Sequence, residues 1–163
     1  MASCDCGASE GPLGLCADYY HAILAEEQRD PEMYRWHLVV VCVYLLQHPA
    51  EGSQKHLDGQ FRWLQLYVDQ GLEAVLRLQR HQVSRNNHRV RAAYDVSPLE
   101  PYEPLPPGGH SGGFRAAFTG LPYGEDGSFV FEGHEAYGNH LLTLAEATLE
   151  SWTTERPGPP ERG

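Results

Sequence analysis

Lysine is nearly missing from this sequence. Lys55 stands alone, and the other eleven basic residues are arginines. Positive charge is short overall: 12 basic residues face 22 acidic ones, a net charge of −10 at pH 7 with histidine neutral. That balance argues against a general nucleic-acid binder, because phosphate contacts need a positive footprint, and leaves room for a local basic site. Long apolar runs are missing as well. The most apolar stretch, Leu38 to Leu46, has nine residues, whereas a membrane span needs about 20, so no membrane association is expected. Residues 1–6 lack the basic-then-apolar pattern of a secretory signal, which points to the cytoplasm. In such a reducing compartment four cysteines are seldom disulfides. They are more often metal ligands, reactive thiols or core residues. The lysine shortage, with 17 Gly and 12 Pro, points to a GC-rich bacterial genome.

A chain of 163 residues fits one domain and can bury a core. Residues 1–16, rich in Gly and Cys, read as a loop. A helix follows from Ala17 to Gln28, with Asp18 near its start. Asp30-Pro31-Glu32 is a strong start signal, a capping Asp and then Pro at the first helical position, for a helix running to Gln47. Its β-branched centre, Val39 to Val43, also suits a buried strand, but length and capping favour the helix. Leu57, Phe61, Leu64 and Val68 share one face of a third helix, Ser53 to Val68. A fourth spans about 72–90 after Gly71, and the last runs from His134 to Thr153. Between them, residues 95–131 hold six prolines and seven glycines. A connection this long is usually a functional loop or a disordered one. Phe129-Val130-Phe131 suits a short extended piece. The expected fold is all-α. It is a bundle of four to five helices with a Cys-rich N-terminal knuckle and a long Pro/Gly-rich loop before the last helix. The domain spans 1–155, and 156–163 form a disordered tail.

Cys4, Cys6, Cys16 and His21 form the first chemical constellation. Cys3His is a common structural zinc set, and Gly7 lets the backbone turn tightly toward a metal. Binding energy would then help fold a segment that has no core of its own. The competing reading is a flexible N-terminus with unligated thiols. His37 and His48, eleven residues apart, share a helix face. With His21 or His140 from neighbouring helices they could build an open catalytic metal site, although a lone His on an apolar face is usually a hydrogen-bonded core residue. Residues 77–91 carry five arginines and no acid, while residues 92–163 hold three arginines against eleven acids. Arg85 and Arg89 are candidates for an anion, since guanidinium forks match carboxylate and phosphate; a solvated basic face is the plainer reading. Gly108-Gly109-His110-Ser111-Gly112-Gly113 lacks the Lys-Ser/Thr and the preceding strand of a phosphate loop. It reads as a loop tip.

Cys6-Gly7, then Cys16, Asp18, Tyr20 to Glu26, His37-Leu38, Tyr44 and Leu46-Gln47-His48-Pro49 resemble an uncharacterised bacterial family of small proteins. That family is a domain of unknown function with a Cys-x-x-Cys-Gly start, a Cys-x-Asp-x-x-His helix and a Leu-Gln-His-Pro ending. The resemblance covers residues 4–50, and this chain departs from it by having Cys-x-Cys at the start. It implies a small helical domain with a polar Cys/His centre and no particular activity.

Two functions follow as expectations. One is a metal-binding helical protein whose zinc is structural and whose work is binding a small molecule or protein partner. The other is a metalloenzyme in a specialised pathway, using His21, His37 and His48 with Glu26 as the acid/base group and the Pro/Gly loop as a lid.

Overall fold

The computed structural model describes residues 3–86, 99–111 and 113–153. Among them are six α-helices: α1 (Cys16–Glu27), α2 (Pro31–Tyr34), α3 (His37–Gln47), α4 (Gln54–Gln70), α5 (Leu72–Asn86) and α6 (His134–Thr153). Short 3-10 turns lie at Pro49–Glu51 and Phe118–Gly120. The described residues contain no strand, only isolated bridges Ser3↔Ser9 and Gly11↔Gly14 in the N-terminal knuckle. None of the described helices is long and apolar enough to cross a membrane. The expected tail lies outside the described residues.

The apolar α3 is the central element, packed against α4, α6 and α1. Its Val39, Val40, Val43 and Leu46 are buried, which is why a β-branched run sits in a helix: tertiary burial overrides a weak local preference. Around it lie Leu57, Phe61 and Leu64 of α4 and Tyr137, Leu141 and Leu144 of α6, the stripes expected from helical spacing.

The segment starting at Asp30 is broken where one helix was expected. Asp30 accepts hydrogen bonds from the amides of Glu32 and Met33, and Pro31 opens α2. The chain then bends at Trp36 (φ −89°, ψ 4°) before α3 begins. The bend drops the indole into the core, edge-on to Tyr137 with ring centroids 5.7 Å apart. Gly138 makes room for it: a Cβ there would lie 2.8 Å from the Trp36 ring.

The long loop is laid on the bundle in its described parts. Leu99, Phe118, Leu121 and Phe129 are buried. An Arg62 Nη donates to the carbonyls of Glu100 (3.3 Å) and Tyr102 (3.1 Å). Gln65 exchanges two bonds with Glu103, and the Leu105 amide donates to Asp58. Phe129-Val130-Phe131, expected as an extended piece, forms turns instead. The cause lies in α1, where the buried Glu26 accepts from the Phe129 amide (3.0 Å) and from the Ser128 hydroxyl.

Candidate metal centre

Cys4, Cys6 and Cys16 come together, and the fourth member is His48. One sulfur or ring nitrogen from each lies within 4.8 Å of every other. The Cys4 and His48 donors, Sγ and Nε2, are 3.1 Å apart, and the Cys6 and Cys16 sulfurs 3.6 Å. Cys6, Cys16 and His48 are buried, and Cys4 is half-buried. It is the single cluster of three or more such side chains among the described residues.

Local structure explains each position. Gly7 adopts φ 93°, a conformation suited to a residue without Cβ, and its amide donates to the Cys4 carbonyl. The Cys4 amide closes the loop on the Ala8 carbonyl at 2.8 Å. Cys16 opens α1, and Asp18 accepts the Leu15 amide at that end. His48 caps α3 with non-helical φ −131°, so its ring turns back over the helix end. Its Nδ1–H donates to the Tyr44 carbonyl (2.8 Å). That bond places a proton on Nδ1 and points Nε2 at the sulfurs, the outer bond that metal-bound histidines usually make. The Tyr44 ring lies 4.4 Å from the imidazole and stacks on Tyr20 at 4.0 Å.

The four groups shift one another's titration strongly. The hydrogen bond from the Cys16 thiol, opposed by burial and helped by His48, pulls Cys6 down to about 4. Cys16 is pushed up by that same bond and by burial, and burial raises Cys4. Burial disfavours charge on His48, but Cys6 and the Tyr44 carbonyl outweigh it and the net shift is upward. By themselves the three thiols therefore support one thiolate comfortably. A metal ion would let all three ionise.

His21 is not in the cluster. Five residues beyond Cys16, its side chain projects roughly 140° around the helix from it. It is exposed, tilted against Tyr20. His37 is also elsewhere: its Nδ1 meets the buried Glu27 carboxylate at 2.7 Å, and its ring stacks on Tyr34. Burial raises the Glu27 pKa against the opposing pull of His37. Glu26 is committed to Ser128 and Phe129. The Arg85 side chain and all of Arg89 fall outside the described residues. Cys42 packs in the core, its thiol pushed up to about 12 by burial. His48, by sequence a catalytic candidate, is the fourth member of the cluster in the place expected for His21. The signal was present in the Gln-His-Pro ending, since a His just before a Pro sits where a helix ends.

The residues beside His48 are equally occupied. The Trp152 indole donates to the Leu46 carbonyl (2.9 Å). Gln47 Nε2 donates to the Ala116 carbonyl (3.0 Å) and to Thr148 Oγ1 (3.1 Å). Leu46-Gln47-His48 thus ties together α6, the long loop and the N-terminal knuckle.

A small all-α bundle with a Cys3His cluster joining its N-terminal loop to its central helix is the class that fold and site define. The chain belongs to DUF5946, a family of unknown function whose model matches residues 1–153. No curated protein and no solved structure matches it.

Proposed function

We propose that Cys4, Cys6, Cys16 and His48 hold one zinc ion, that the ion is structural, and that the protein acts as a binding or accessory module in a reducing compartment. The observation that carries this reading is the convergence of four donors within 4.8 Å, with the imidazole already oriented by Tyr44. Three thiolates and an imidazole suit a borderline-soft ion. Around tetrahedral zinc, with Zn–S bonds of ~2.3 Å, sulfurs sit roughly 3.8 Å apart and nitrogen and sulfur roughly 3.6 Å. The Cys6–Cys16 spacing of 3.6 Å is close to this, and the Cys4–His48 pair at 3.1 Å opens by roughly half an ångström. Four protein donors complete a tetrahedron, which favours a structural ion over a catalytic one with an open position. The metalloenzyme reading finds no support in His21 and His37, which lie outside the cluster.

Elemental analysis of protein purified under reducing conditions tests this. About one zinc per chain is expected, lost in Cys16→Ser and His48→Ala and kept in His21→Ala. Absence of any transition metal after reconstitution with zinc would overturn the proposal.

A further inference from the structure

A cleft of about 590 Å³ opens beside the cluster, within the range of small-molecule sites. Three segments wall it: Ala8–Glu10 of the knuckle, the loop 114–122, and one side of α6 with His140, Thr143 and Leu144. Residues 46–48 anchor all three walls. His48 belongs to the cluster that closes the knuckle, Gln47 holds Ala116 of the loop, and both Gln47 and Leu46 bind α6. The walls of the cleft are therefore tied to the cluster through residues 46–48, although none of the four cluster residues lines the cleft itself.

Its lining has a consistent chemistry. Phe114, Leu121 and Leu144 supply apolar surface. Arg115 and His140 bring the basic groups, from two different walls. His140 is half-buried and makes no hydrogen bond among the described residues. Arg115 pairs through Nε with Glu150 at 3.1 Å. Both side chains of that pair are more than half exposed, 57% and 58%, so the pair is weak and a ligand can replace it. A guanidinium fork and an imidazole beside apolar surface match a carboxylate on an apolar body. Glu10 on the third wall repels a second negative charge.

We propose that this cleft binds a small organic monocarboxylate with an apolar body, its carboxylate held by Arg115 and His140. The inference rests on reading the protein as a metal-ordered binding module. The test titrates the zinc-loaded protein with N-acetyl-phenylalanine and, separately, with inorganic phosphate, following the His140 ring protons by NMR. A saturable shift with N-acetyl-phenylalanine is expected, with phosphate at least ten-fold weaker. Arg115→Ala should weaken the carboxylate at least ten-fold, and His140→Ala, read by calorimetry, should do the same. Both variants lie on partly exposed positions and are checked for unchanged thermal unfolding.

Zinc-loaded protein that shows no saturable shift overturns the cleft assignment and leaves the zinc reading standing. Preference for phosphate, or binding unchanged in both variants, overturns it too. Saturable carboxylate binding by a protein that never takes up metal supports the cleft and removes the zinc reading.

Discussion

At position 48 one imidazole joins two structures. Nδ1 holds the end of α3 through Tyr44, and Nε2 faces three sulfurs. Loss of an outer partner of a metal ligand typically costs 10–100-fold in affinity. His48→Ala, which removes the ligand itself, should cost more than about 100-fold, measured by competition with a chromogenic chelator. His37→Ala should leave the metal content unchanged. It should lower stability by about 1–3 kcal/mol, because the buried Glu27 oxygen loses its only partner among the described residues. Denaturant melts alongside metal analysis separate the two effects. At Gly138 a methyl group would press on Trp36, and Gly138→Ala should destabilise by about 1–3 kcal/mol. These roles differ in how visible they were in the chain. Three thiols within sixteen residues advertised a metal centre. His21 attracted the fourth position because it lies near them in sequence, but helix geometry turns it away.

Among the elements, the ends of helices carry most of the organisation. Asp30 caps α2 and also meets His134 of α6 at 2.7 Å. Desolvation is the largest single influence on Asp30 and opposes its ionisation, but His134 and the amides of Met33 and Glu32 together outweigh it. The carboxyl therefore titrates below the usual aspartate range. A depressed folded pKa means the stabilisation is present in full above the unfolded value of ~3.9 and is lost as pH falls through the folded value. Asp30→Asn should therefore flatten the acid limb of the stability curve below about pH 4, as read by thermal melts across pH. At the C-terminal end of α3, Gln47→Ala would leave Ala116 and Thr148 short of a partner, at about 1–3 kcal/mol. Element positions followed from capping and apolar spacing, as at Asp30-Pro31 and at His134. The bend at Trp36 did not, because its cause is a cavity formed by Tyr137 and Gly138 a hundred residues away.

Over the whole molecule, the cluster fastens a Gly-rich knuckle that has little core of its own, so metal and stability should be linked. Treatment with a strong chelator under reducing conditions should lower the melting temperature by several degrees or more and restore it on adding zinc. The sequence by itself determined the all-α class, the helical segments apart from the break at Trp36, and the cysteine-rich start, since these rest on local spacing and capping chemistry. Only the tertiary structure decided that His48 and not His21 meets the three thiols. It also decided that the long Pro/Gly segment, in its described parts, packs along α4 and α6, and that three walls anchored at residues 46–48 enclose a cleft. Those outcomes depend on which distant surfaces meet when α3 is buried, and residue spacing along one chain carries no record of that meeting.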